Sequence, residues 1–296
     1  MRNACGRTTI GVCVKNSEKT IEESIKSILK QKFPVELMQI IIVDGCSTDR
    51  TMSIVKNITS DTNFLVEIFS DKGKGLGAAR QIVVDNAKGD YIIFVDGDVE
   101  LPGDFVKKQI DYMEKYPKVA VAVGTYMFRE GSESLISAVS CLFNFLSNPH
   151  AGTDATICRV EALKQVNGFD ENIIGASEDK DLIFRIQKKG WLLSANEEAL
   201  FYHNCRENFR GFWKEQAWFG FGNHYLYHKH RNLGRLWREL PLGSFRYGFK
   251  LAKKGYDLTN RKISFLIPLL LVTGKIAWWI GFFKAHLIGY GHKKVG

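Results

Sequence analysis

Tyr91-Ile-Ile-Phe-Val-Asp-Gly-Asp98 is a run of five uncharged, mostly apolar residues that stops at two carboxylates separated by one glycine. Continuous apolarity over that length, without alternation, is the pattern of a strand buried on both faces. Such strands belong to parallel sheets covered by helices, and the run bears that out when read outward. Residues 8–15 (TTIGVCVK), 38–44 (MQIIIVD) and 64–69 (FLVEIF) repeat the strand pattern. Between them lie helical periodicities: Ile21, Ile25, Ile28 and Leu29 within 18–31, then Ile54, Val55 and Ile58, then 77–87. Alternation of strand and helix predicts an α/β domain with a mainly parallel central sheet. Ligands of such sheets bind beyond the carboxyl ends of the strands. The polar residues expected there are Lys15 and Asn16, Asp44, Asp71, and Asp96-Gly97-Asp98.

After residue 100 the alternation weakens. A strand is expected over 118–128, an apolar helix over 134–146, and helices over 159–167 and 177–189. Charge then changes sign. Residues 1–205 carry 24 basic and 28 acidic side chains, whereas residues 206–296 carry 17 and 4. The basic segment is also rich in aromatics, among them Phe209, Phe212, Trp213, Trp218, Phe219, Phe221, Tyr225 and Tyr227. That combination suits an anionic partner such as a membrane surface, with a solvated basic face as the plain alternative. Residues 263–283 are apolar apart from Lys275. A spanning helix needs about 20 such residues, but Lys275, Pro268 and two glycines equally suit an interfacial helix or one packed on the domain. The expected organisation is a catalytic region at 1–205, with halves near 1–100 and 101–205, and a helical, membrane-associating region at 206–296. None of the six cysteines forms a C-x-x-C pair, so a zinc or redox cluster of that type is not expected. The polar first nine residues lack the apolar centre of a signal peptide, so the catalytic part is expected in the reducing cytoplasm.

Four groups of residues carry chemistry. Asp96 and Asp98, just past a buried strand, can hold a divalent cation, and such an ion can bridge a diphosphate. By itself the tripeptide equally suits a plain turn. Glu178 or Asp179 can serve as a general base on a hydroxyl, although acids after Ser177 also suit a helix start. Gly73-Lys-Gly-Leu-Gly77 with Arg80 is a glycine-rich turn able to meet phosphate, but it is not G-x-G-x-x-G and follows the third strand. His203 offers an imidazole as a further ligand or a structural side chain.

Taken together, residues 8–205 resemble the family 2 glycosyltransferases of the GT-A fold. Val12–Glu18 looks like the family's first strand and donor loop, and Ile42–Thr51 like its V-D-D-x-S-x-D-x-T segment. Gly73–Gln81 is similar to its N/K-G-x-x-x-A-R-N segment, and Ile93–Asp98 to its metal motif. Arg159–Asp170 and Ser177–Arg185 resemble its G-G-F-D and E-D segments. The resemblance implies a donor pocket lined by Asn16, Glu18 and Asp44, with Lys74, Arg80, Asp96 and Asp98 at the donor. It implies Mg2+ or Mn2+ on Asp96, Asp98 and His203, with Asp179 as base and Glu178 orienting the acceptor. Gly45, Asn167 and Lys15 depart from the family pattern. The implied activity is inverting transfer from a nucleotide-diphospho-sugar to a lipid-linked or glycan acceptor at the cytoplasmic face of a membrane. A sugar nucleotidyltransferase and an inactive glycan-binding relative are the alternatives; a nucleic-acid partner is not expected.

Overall fold

The computed structural model describes residues 7–127, 134–147, 152–230 and 240–291. The chain divides into two units: residues 1–127, 150–174 and 178–203 form one, and 128–149, 175–177 and 204–296 the other.

The first unit is built on an eight-stranded sheet. Its strands are β1 (Thr8–Val14), β2 (Met38–Asp44), β3 (Leu65–Ser70), β4 (Tyr91–Asp96), β5 (Val99–Glu100), β6 (Val119–Tyr126), β7 (Ala155–Arg159) and β8 (Leu192–His203). Their order across the sheet is β3-β2-β1-β4-β7-β6-β8-β5. The β3-β2-β1-β4 half is parallel throughout. Strand β7 runs antiparallel to both β4 and β6, β8 runs parallel to β6, and β5 runs antiparallel to β8. Strand β1 lies between β2 and β4, so successive crossovers leave it in opposite directions, which is where an open α/β sheet forms its crevice.

The apolar runs become strands because both faces are covered. Ile40 and Ile42 enter one core with Ile10, Val12, Ile93 and Val95. Ile41 and Val43 enter the other with Ile92, Phe94 and Val83. Helices α1 (Ile21–Leu29), α2 (Thr51–Thr59), α3 (Leu76–Asn86), α4 (Phe105–Lys115), α6 (Val160–Gln165) and α7 (Glu178–Lys188) belong to this unit. Helix α1 turns Ile21, Ile25 and Ile28 inward, as their spacing predicts. Truncating one of these fully buried isoleucines to alanine costs about 2–5 kcal/mol.

The expectations for strands and helices within the first hundred residues are met. Strands β5, β7 and β8 and helix α4 are additions. The β8 sequence LLSANEEALFYH interrupts its apolar residues with Asn196, Glu197 and Glu198. Its pairing with β6 is irregular at two places, so no strict period of two survives.

The second unit contains α5 (Leu135–Ser147), α8 (Phe209–Lys229), α9 (Pro241–Thr259) and α10 (Ile267–Leu287). Its core joins Val139, Leu142, Leu146, Phe212, Leu251, Ile267 and Leu270. Helices α8 and α10 touch backbone to backbone. A Cβ on Gly220 would lie 1.8 Å from the Trp278 carbonyl oxygen, and one on Gly281 would lie 1.8 Å from that of Ala217. Only glycine permits that approach. Lys262–Leu287 is long and apolar enough to cross a membrane, and less than half of its most apolar stretch is buried. Leu269, Ile276, Ile280, Phe283 and Leu287 are all exposed, and at 100° per residue they form one narrow stripe.

Candidate active site

The loops after β1 and β2 are tied together by side chains that the sequence singles out. Asn16 adopts a left-handed conformation, φ 51°, which asparagine tolerates better than most residues. Its amide N–H donates to Ser47 Oγ at 2.9 Å, and its Oδ1 accepts from the Thr48 N–H at 2.8 Å. The Asp44 carboxylate accepts the Ser47 N–H at 3.1 Å. Glu18 accepts from both the backbone N–H and the Nε of Arg50 at 3.2 Å. Asp71, at the end of β3, takes the N–H groups of Gly73 and Gly75 on its two oxygens, at 2.7 and 3.1 Å. Asp44, Asn16 and Glu18 thus line adjoining strand ends, while Asp71 organises the glycine-rich turn. Lys74 in that turn is exposed and lies 3.6 Å from Glu171.

Asp96-Gly97-Asp98 forms the tight connection from β4 into β5. Strand β5 pairs with β8 in a register that sets Val99 opposite His203. This pairing brings His203 Nε2 to 3.4 Å from Asp98 Oδ1. A third carboxylate joins them. The Asp96 N–H donates to the Asp154 carbonyl at 3.3 Å, and the Tyr126 hydroxyl donates to the Asp154 carboxylate. Burial alone would push the His203 imidazole down. Asp98 above all, then Asp154 and Asp96, outweigh it and raise it to about 10.

Arg80 is the buried hub behind these acids. Its guanidinium donates to Asp96 Oδ1 at 3.0 Å and to the Glu178 carboxylate. Arg80 and Glu178 are almost wholly buried, with side-chain exposures of 4% and 2%, whereas Asp96 keeps 34%. Burial alone would lower the guanidinium, but Glu178 and Asp96 outweigh it and hold it above its ordinary value. Burial also raises the Glu178 carboxyl, to about 7, against the pull of Arg80. Burial raises Asp96 as well, with Arg80 opposing and Asp98 adding to the rise. Glu178 opens α7, and its Oε2 has no hydrogen-bond partner. Asp179 follows it, half-buried, with Oδ1 accepting from the Lys180 N–H at 2.7 Å. The alternative of a Ser177 cap on α7 is not met, because the buried Ser177 Oγ makes no hydrogen bond and φ is 83°. Helix α3 reaches this position because Gly77 is bare: a Cβ there would stand 2.9 Å from the Asp170 carbonyl oxygen.

Comparison with known proteins bears on this arrangement. The family model described as glycosyl transferase family group 2 matches residues 91–288, and that described as glycosyl transferase family 2 matches residues 9–152. The chain belongs to the family 2 glycosyltransferases. It has the mixed α/β GT-A fold of this inverting family. The poly(ribitol-phosphate) β-N-acetylglucosaminyltransferase TarS of Staphylococcus aureus (strain Mu50 / ATCC 700699) is 35% identical over 94 residues, 32% of this chain and 16% of the relative. The poly-β-1,6-N-acetyl-D-glucosamine synthase of S. aureus (strain COL) is 25% identical over 234 residues, 74% and 55%. The matches thus span only part of these curated relatives. In fold, the glycosyltransferase is similar to the mannosyltransferase PcManGT from Pyrobaculum calidifontis in complex with GDP-Man and Mn2+. The TM-score is 0.65 and the identity 16%, over 93% of this chain and 87% of that one.

The donor set of the glycosyltransferase suits a divalent cation. Asp98 contacts one imidazole, on which Asp154 and Asp96 also act electrostatically, and the cationic hub Arg80 is shared with Glu178, so negative charge is in excess. Carboxylate oxygens with one imidazole nitrogen fit a hard or borderline ion. Sequence reading missed Asp154 and Tyr126. Their signal is a single acid before the apolar Ala155–Cys158, and it acquires meaning only once β7 pairs with β4. Arg80 was expected beside the donor; its guanidinium contacts are Asp96 and Glu178.

Proposed function

We propose that this glycosyltransferase moves a sugar from a nucleotide-diphospho-sugar to an acceptor hydroxyl, with inversion, at a membrane surface. The observation that carries the reading is the gathering of Asp96, Asp98, Asp154 and His203 at the end of β4. Asn16, Glu18 and Asp44 stand on the adjoining strand ends, where a nucleoside is received. A similar fold in complex with GDP-Man and Mn2+ supports both a sugar nucleotide and a divalent ion. Asp96, Asp98 and His203 would hold Mg2+ or Mn2+, which when bound neutralises charge developing on a diphosphate leaving group. Lys74, exposed and only loosely tied to Glu171, is placed to meet the donor's anionic side. Arg80 opposes the rise that burial imposes on the Asp96 carboxyl and aims it, acting through that carboxylate.

Asp179 removes the proton from the acceptor hydroxyl, which attacks the anomeric carbon from the face opposite the diphosphate. The new C–O bond forms as the bond to the diphosphate oxygen breaks, and one displacement inverts the centre. Glu178, fixed against Arg80, anchors the start of α7 and with it Asp179. A lipid-linked acceptor is supported by the second unit. The exposed apolar stripe of α10 has a smaller counterpart on α9, where exposed Phe245 and Phe249, one turn apart, lie beside exposed Arg246, Lys250 and Lys253.

A thermal-shift panel of nucleoside diphosphates and sugar nucleotides, with and without Mn2+, identifies the donor. Asp179→Asn keeps the donor-induced shift while turnover falls about 10²–10⁴-fold. Full turnover in that variant would remove Asp179 from the base role, and release of pyrophosphate would make the enzyme a nucleotidyltransferase instead. Co-sedimentation with anionic vesicles should weaken in Ile280→Ser and Phe283→Ser; equal binding would sink the membrane assignment.

A further inference from the structure

The second unit holds a histidine cluster that the transfer reaction leaves unused. His224 and His228 sit four residues apart on α8, hence on one face of that helix. His286 comes from the last turn of α10. One ring nitrogen from each of the three lies within 4.8 Å of the other two. His224 is wholly buried, while His228 and His286 are exposed.

Hydrogen bonding sets the tautomer at the centre of the cluster. His224 Nδ1 lies 2.6 Å from the Tyr290 carbonyl oxygen. A carbonyl only accepts, so Nδ1 carries the proton, and in the neutral ring that burial favours Nε2 carries the lone pair. That Nε2 faces His286 Nδ1 at 3.2 Å. A ring N–H held by a backbone carbonyl, with the other nitrogen presented as a donor pair, is how proteins orient a metal-binding histidine. Two nitrogens bound tetrahedrally to zinc at about 2.0–2.1 Å stand about 3.3 Å apart. The His224–His286 separation already matches.

The surroundings are rigid enough to hold this geometry. The Phe282 ring lies edge-on to His224 at 4.8 Å, and the Tyr290 ring stacks on Phe221 at 4.6 Å. Gly220 and Gly281 lock α8 against α10 within two turns of the histidines. His228, the third member, reaches the cluster from the exposed side.

We propose that His224, His228 and His286 form a transition-metal site, with Zn2+ as its ion, that clamps α8 to α10. Three imidazoles without a carboxylate favour zinc over Mg2+ or Mn2+, so the site is chemically distinct from the oxygen-rich set around Asp98. The exposed side leaves a fourth position for water. A purely structural role, with His286 hydrogen-bonded to His224, needs neither metal nor His228, and this separates the two readings.

The test uses the full chain purified without a polyhistidine tag and stripped with EDTA. Asp98→Asn with His203→Gln serves as the parent, removing the other cation-binding set. Zinc is titrated against a competing chelating dye. The parent is expected to bind one Zn2+ per chain, and His228→Gln and His286→Gln each to weaken it at least about tenfold. Co2+ should give intense visible bands of tetrahedral coordination in the parent, and these should fade in His228→Gln. Because His228 is exposed, that variant keeps its helix content, checked by circular dichroism. Absence of stoichiometric zinc in the parent overturns the proposal. So does unchanged zinc affinity in either variant.

Discussion

Two sets of polar side chains in the first unit are held in opposite ways. Asn16, Glu18 and Asp44 are tied to loop backbone near solvent, through the N–H groups of Ser47, Thr48 and Arg50. Asp96 and Glu178 are tied to one guanidinium, and Arg80 and Glu178 are nearly sealed from water. In water, a lost partner is replaced by solvent. In the interior it is not, and the remaining charge bears the full cost of desolvation. On the proposed function, the contrast puts adaptable contacts on the nucleoside side and fixed electrostatics on the side where bonds change, which is where preorganisation matters most.

The sharpest way to break this contrast is Arg80→Met, which leaves two carboxylates without their cation. A loss of about 3–5 kcal/mol in urea denaturation at pH 8 is expected; a loss near that of a surface substitution would end the distinction. The deficit should shrink as pH falls toward 5. Burial raises the Glu178 carboxyl to about 7 from an ordinary value of 4.5. A raised carboxyl contributes stability in full below its unfolded value and loses it as pH climbs through the folded one. Without Arg80 the rise is larger, so protonation relieves the variant more than the parent. A deficit that stays constant with pH would show that Glu178 is not the group left exposed to the penalty.

Next in size is Asp98→Asn made together with His203→Gln, so that no buried imidazolium is left without its carboxylate; it is expected to cut metal-dependent release of nucleoside diphosphate about 10²–10³-fold while the melting temperature barely moves. A large fall in melting temperature instead would place Asp98 with the structural acids. Asp44→Ala should lower donor affinity about tenfold, the worth of one hydrogen bond and a reordered loop, read by titration of the donor. The smallest effect belongs to Glu18→Gln. Its ion pair with Arg50 is solvent-exposed, so stability should change by about 0.5 kcal/mol or less. A larger change would mean that the loop side is as rigid as the buried side.

Much of the first unit was legible without coordinates. Apolar runs at 8–15, 38–44 and 91–95 announce buried parallel strands because they are short, end in turn residues and alternate with segments of helical period. The acids at their ends follow, since a strand leaving a covered sheet must end in polar backbone and turn residues. His203 could be singled out by type but not by location: its approach to Asp98 depends on β8 pairing with β5 across about a hundred residues of chain. Asp154 was invisible for the same reason, because antiparallel pairing of β7 with β4 has no local signature.

Local composition thus determined which segments are strands or helices, where the chain turns basic, and which acids stand at strand ends. Those properties depend on neighbours within one turn or one pleat. Tertiary structure alone decided that Arg80 faces Asp96 and Glu178, that His203 meets Asp98, and that three histidines on α8 and α10 converge. Each of these depends on segments distant in sequence being brought within hydrogen-bond range, and the energy that selects them comes from packing that no single segment encodes.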